Sequence, residues 1–260
     1  MSLIVGPSIG PDVGLAVGIN ADSGSSPPSV PTDGPSSFRF PSTTDHFTTL
    51  GIASPTSAWM CQEASGTLAD SFGGLTLSNG GTAPTYQSAV AGYSRVSILL
   101  ADAATTLFLN ASAPDPATVS QMMFVYGQLN ATPAATRAFF GFGLATAGAG
   151  RIETTPRFRA QFGGALATGT ASPAGAVYLF GLQRDVTAGA NRGAWDAAAA
   201  ALLTPASTAL AGQRVAIGGN GASCPPMNIL AAYYWTGAEA EGLANFRDKW
   251  QALSGQTALW

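Results

Sequence analysis

Carboxylates, one histidine, two cysteines and a few tryptophans are the residues of this 260-residue chain that could do chemistry. Cutting a glycosidic bond takes two carboxylates flanking the scissile oxygen. The only glutamates are Glu63, Glu153, Glu239 and Glu241. Glu63 falls in a turn, Glu153 stands alone, and Glu239 with Glu241 opens the last helix, where the helix dipole favours acidic residues. No strand reads as holding two carboxylates on one face. A nucleophilic triad needs its histidine beside a serine and steadied by a carboxylate. Asp45 precedes His46, but no strand-and-helix elbow offers that histidine a serine, so a structural or solvent-facing role is expected. Calcium requires clustered oxygen ligands, whereas Asp70, Asp102 and Asp185 are dispersed at positions that suit turns. The expectation is a protein that is not an enzyme and holds no metal and no cofactor.

Sugar binding asks for less: one aromatic platform and a few polar neighbours. Trp195 with Asn191 and Arg192, and Arg157 with Arg159 on an outward strand face, are the candidate glycan-binding residues. For Trp195 a core or subunit contact competes with that role. Trp59, Trp235 and Trp250 lie in apolar strand and helix patterns and are expected in the core.

These side chains need a scaffold, and composition says which kind. The chain is 46% hydrophobic but only 10% charged, against about 25% in ordinary domains. Gly 32 and Pro 17 fit many short strands joined by tight turns. With a net charge of -3 and Lys249 as the only lysine, no phosphate-binding face is expected and nucleic acid is excluded. No apolar run is long enough to insert in a membrane. Strands are predicted over 58–62, 75–77, 95–100, 105–109, 119–129, 138–144, 157–162, 177–184 and around 193–195. A run near 215 and Met227 to Trp235 complete the set, ten or eleven in all. The stretches 95–100 and 105–109 read as a hairpin. The dense run Met122-Met123-Phe124-Val125-Tyr126 predicts a central strand buried on both faces. In 157–162, Arg157, Arg159 and Gln161 alternate with Phe158, Ala160 and Phe162, the period of a half-buried strand. Two helices are predicted, 196–203 with Asp196 as N-cap, and 238–253 with Leu243, Phe246, Trp250 and Leu253 on one face.

The closing order of strand, glycine turn, strand, Thr236-Gly237-Ala238-Glu239 and helix resembles the end of laminin-G-like, concanavalin-A-type jelly-roll domains. The segment Ala58 to Leu77, with its Glu63-Ala64-Ser65-Gly66 turn and Asp70-Ser71-Phe72-Gly73-Gly74-Leu75, is similar to that family's opening strands. The resemblance covers about residues 45 to 253 and implies an all-β, two-sheet antiparallel jelly-roll sandwich with a short C-terminal helix. It also makes the first and last strands neighbours, which would bring Cys61 and Cys224 near each other. Two buried thiols and a disulfide both remain open, the thiols favoured by a reducing compartment of synthesis.

Residues 1–44 differ from this body at 45–260. Leu3, Ile4, Val5, Ile9, Val13, Leu15, Val17 and Ile19 alternate with Gly and Pro, a string that makes neither helix nor two-sided strand. Such a segment can lie extended along a partner, adding a strand at a sheet edge, and a Ser/Pro/Gly linker follows it. No signal peptide is read in the first residues. A jelly roll with such an arm resembles phage decoration, fibre, spike and tail proteins. That resemblance implies a virion structural component made in the host cytoplasm. Its arm would dock on other virion proteins, and its body would homo-oligomerise and meet a cell-surface glycan. The alternative is a free carbohydrate-binding module or lectin that has no need of the arm.

Overall fold

The computed structural model describes residues 40–90, 93, 95–101, 107–110, 112–143, 148–171, 174–195, 203–205, 212–219 and 224–254. The eight aliphatic arm residues, Asp102 and all of the predicted helix at 196–203 except Leu203 lie outside the described residues, and Leu203 forms an antiparallel bridge with Gly193 instead of a helical turn.

Fourteen strands are seen among the described residues: β1 (Ser57–Trp59), β2 (Ser78–Asn79), β3 (Thr85–Ala89), β4 (Val96–Leu100), β5 (Leu107–Asn110), β6 (Gln121–Leu129), β7 (Arg137–Phe142), β8 (Gly148–Ile152), β9 (Arg157–Phe162), β10 (Ala165–Ala171), β11 (Val177–Asp185), β12 (Ala190–Trp195), β13 (Val215–Gly218) and β14 (Met227–Thr236). Two helices flank them, α1 (Thr44–Thr49) and α2 (Leu243–Ser254), and a 3-10 turn at Gly237–Ala240 leads into α2. The strands form two antiparallel sheets. The first runs β12-β11-β6-β14-β4-β3 with β1 also on β14, and the second β10-β9-β8-β7-β13-β5-β2. The expected mostly-β, two-sheet body with a short C-terminal helix is therefore present. One local expectation is corrected. The segments read as a hairpin, now β4 and β5, belong to different sheets: β4 pairs with β14 and β3, β5 with β13 and β2. Two apolar runs with a short polar connector read alike whether the chain folds back or crosses over.

Between the sheets, Val125, Phe180, Leu182 and Ile229 from the first face Phe140, Phe142, Phe158 and Ile217 from the second. The first sheet is buried on its other face as well, since every residue of β6 is buried. There Phe124, Tyr126, Tyr233 and Trp235 lie under Phe40, Phe47 of α1, and Phe246, Trp250 and Leu253 of α2. The ring of Phe40 meets that of Tyr126 edge-on at 4.9 Å, and Phe124 lies 5.4 Å from Phe246. The lid is also hydrogen-bonded: Trp235 Nε1 donates to Ala53 O at 3.0 Å and the Tyr126 hydroxyl to Leu253 O. At one pair of positions the second sheet has no room for a side chain. A Cβ on Gly150 would fall 2.0 Å from the Phe140 ring, and one on Gly148 2.6 Å from that of Phe142.

Candidate functional site

Several polar side chains of the second sheet gather on the outward face of β8, β9 and β10. The alternation read in β9 puts Phe158 and Phe162 in the core, with Arg157 and Arg159 outward. Strand register then assembles the neighbours. Arg159 stands directly opposite Arg151 of β8, with Thr168 on its other side in β10. Gln161 pairs with Ala149 on one side and Leu166 on the other. The β8–β9 hairpin, closed by Glu153 N donating to Arg157 O at 3.1 Å, brings Glu153 onto the strip. Glu153 forms a salt bridge with Arg159, whose Nε also donates to Thr168 Oγ1 at 3.3 Å. Arg151 donates through Nη1 to Gln161 Oε1, and the Gln161 amide is fixed in turn by donating to Gly163 O at 2.9 Å. Arg151 Nε is buried without an acceptor. Burial, and then the charge of Arg159, push the Arg151 pKa below its ordinary value. Leu166, 49% exposed, borders the strip. Guanidinium forks, a carboxylate and an amide on adjacent strands form a rigid array of planar donors and acceptors.

The other candidate residues lie elsewhere. Trp195 is 6% exposed, sits between the sheets against Tyr178 with ring centroids 5.4 Å apart, and presents no platform to a sugar. Asn191 and Arg192 are neighbours on β12 and therefore point to opposite faces of the first sheet. Asn191 accepts from Arg184 Nη1 at 3.3 Å. Arg192, buried, donates to Gln183 Oε1 at 2.7 Å and pairs with Asp185 at 3.1 Å. Asp185 also accepts from the backbone N–H of Ala188 at 2.9 Å and Gly242 at 3.1 Å. Burial alone would raise its pKa, but the Ala188, Arg192 and Gly242 donors outweigh it and hold the carboxyl below the ordinary range. This knot ties the β11–β12 hairpin to the turn before α2. A cavity of about 320 Å³ lined by Asp185, Thr187, Ala188, Glu241 and Gly242 opens beside it.

Sequence reasoning missed Arg151, Thr168 and the part played by Glu153. Only the alternation of β9 signalled this face, because the pairing partners sit in strands of small residues. Glu153 stands alone in sequence and beside Arg159 in space. Among the described residues no three His, Cys, Asp or Glu side chains group as metal ligands. Asp70 accepts from the backbone N–H of Ala58 and Phe72, both at 2.9 Å, and Leu75 at 2.6 Å. His46 lies buried in α1, its Nδ1 accepting from Ser42 N at 3.1 Å, and burial lowers its pKa against the pull of Asp45. Cys61 and Cys224 are both buried and are not joined in a disulfide. Among the described residues no helix is long and apolar enough to cross a membrane.

No family model and no curated protein sequence matches the chain. Solved structures do match its fold. Trypanosoma rangeli sialidase aligns with a TM-score of 0.55 at 11% identity over 76% of this chain and 32% of its own. A mutant of the same enzyme displaying trans-sialidase activity aligns with a TM-score of 0.58 at 10% identity, over 83% and 38%. A GH54 α-L-arabinofuranosidase follows with a TM-score of 0.49 at 10% identity, over 82% and 65%. The chain thus spans about a third of the length of the sialidases it matches. The sialidase matches agree with the two-sheet β-sandwich at the level of fold. They correct the expectation that the protein is not an enzyme, for the named structures sharing its fold are sialidases, and the architecture gives no ground for setting catalysis aside.

Proposed function

We propose that this chain is a carbohydrate-binding β-sandwich of the concanavalin-A/laminin-G-like jelly-roll type, carried by a virion structural protein and displayed for adhesion to a host-surface glycan. The observation that supports the sugar-binding half is the ordered polar strip on β8–β10. There Arg151, Gln161, Arg159, Glu153 and Thr168 are held by one another on rigid strands at the exposed end of the sheet. Sugar recognition uses planar amide, carboxylate and guanidinium groups fixed in this way, beside a small apolar surface of the sort Leu166 offers. The sialidase likeness supports the same reading at the level of fold. The virion half rests on the aliphatic Gly/Pro arm of residues 1–20, which suits docking along a neighbouring subunit.

One pair of measurements tests both halves. Glycan retention by the purified chain should fall at least tenfold in Arg159→Ala, the loss expected for one hydrogen bond to a charged group, with the circular dichroism spectrum unchanged. Deleting residues 1–20 should abolish incorporation into particles and leave glycan retention intact. Retention that survives Arg159→Ala would refute the assigned face. Particles that still take up the truncated chain would refute the docking arm.

A further inference from the structure

The β8–β10 strip places two like charges where a sheet ordinarily avoids them. Arg151 and Arg159 are directly opposed on adjacent antiparallel strands, a pairing that is destabilising unless something sits between the charges. Arg157 lies outward on the same strand. Three guanidinium groups therefore face one carboxylate, Glu153, in a protein whose overall charge is -3. The donors are only partly used. Arg151 gives one N–H to Gln161 and keeps Nε without an acceptor, while Arg159 gives one to Thr168 and meets Glu153. Glu153 is largely covered, its side chain 12% exposed against 26% for Arg159, and its ion pair takes up the Arg159 guanidinium that an incoming anion would need.

Building on the sugar-binding function proposed above, we propose that Arg151 and Arg159 form a clasp for the anionic group of an acidic sugar, with Glu153 as its built-in competitor. A carboxylate or sulfate ester on the ligand offers the planar or tripod acceptor set that guanidinium forks match. Binding swings Glu153 aside, so the ligand replaces one ion pair with two and relieves the Arg151–Arg159 repulsion. A neutral sugar gains nothing from either change, and the strip thereby selects for charge.

The test measures binding of the full chain at one ionic strength to an oligogalacturonate, a sulfated heparin oligosaccharide, a neutral maltooligosaccharide and single-stranded DNA. The wild type should prefer a charged sugar, and whichever of the two it prefers identifies the anionic group as carboxylate or sulfate. Arg151→Gln should weaken that binding about tenfold or more, the loss of one charge-assisted hydrogen bond. The same change should leave the melting temperature level or higher, because it removes a repulsion. Should Arg151→Gln misfold, Arg151→Lys keeps the charge, loses the fork and should weaken binding as well. Glu153→Gln should strengthen binding of the charged sugar and leave the neutral one unaltered. A loss of affinity in Glu153→Gln, or equal effects on neutral and charged sugars, would overturn the clasp. Neutral-sugar binding without preference for charge would overturn it while sparing the sugar-binding proposal. DNA bound as tightly as the charged sugar would overturn the sugar assignment, and failure to retain any sugar would bring down both.

Discussion

The outer faces of the two sheets have opposite fates. On the first, Phe124, Tyr126, Tyr233 and Trp235 are sealed under α1, α2 and the approach at Phe40, and the polar groups at its border, Gln183, Asp185 and Arg192, spend themselves on one another. On the second, at β8–β10, Arg157 and Thr168 are exposed, Arg151, Glu153 and Arg159 are partly so, and arginines outnumber carboxylates. Aromatic rings and charges thus serve different ends on the same fold. Where apolar area is large the face is roofed and contributes stability. Where the groups are polar and mutually repelling they remain accessible.

Substitutions should separate these roles by size of effect. Trp250→Ala opens a void over Phe124 in the sealed face and should cost about 3–5 kcal/mol, read as a fall in the urea midpoint, without changing sugar affinity in the molecules that stay folded. Gly150→Ala, whose Cβ would overlap the Phe140 ring, should cost about 1–3 kcal/mol through overpacking. The Asp185 carboxyl, held below its ordinary pKa, contributes stability fully above the unfolded value of about 3.9 and loses it as pH falls through the lower folded value. Asp185→Asn should therefore lower stability at neutral pH and flatten its loss below about pH 4, measured as chemical midpoint against pH. Smallest of all, Arg159→Ala on the open strip should change stability by no more than about 1 kcal/mol, yet reduce sugar binding. A stability loss for Arg159→Ala as large as that for Trp250→Ala would erase the distinction between the faces.

The sealed face was largely legible in the sequence. The unbroken apolar run of β6, the run of β14 and the spacing of Phe246, Trp250 and Leu253 in α2 each carry their own burial signal, and the alternation of β9 placed Arg157 and Arg159 outward. The open face was legible only in that one strand. β8, Gly-Ala-Gly-Arg-Ile, and β10, Ala-Leu-Ala-Thr-Gly-Thr-Ala, hold few of the branched or aromatic residues that mark strands. The glycines of β8 leave space for the rings of Phe140 and Phe142, a demand that arises only in three dimensions. Helix α1 was missed because six residues with two buried side chains show no period. Asn191, Arg192 and Trp195 are close in sequence, yet pleating and burial send them to a buried contact with Arg184, a structural knot with Asp185 and the core.

The proposed sugar binding is tested most directly by locating an acidic oligosaccharide on the folded chain. Backbone amide exchange, followed residue by residue with and without a saturating acidic oligosaccharide, locates it. Slowing confined to β8, β9 and β10, strongest around Arg151, Arg159 and Thr168, is the result expected. Slowing instead at the β11–β12 hairpin beside Asn191 and Arg192, or over α2, would contradict it.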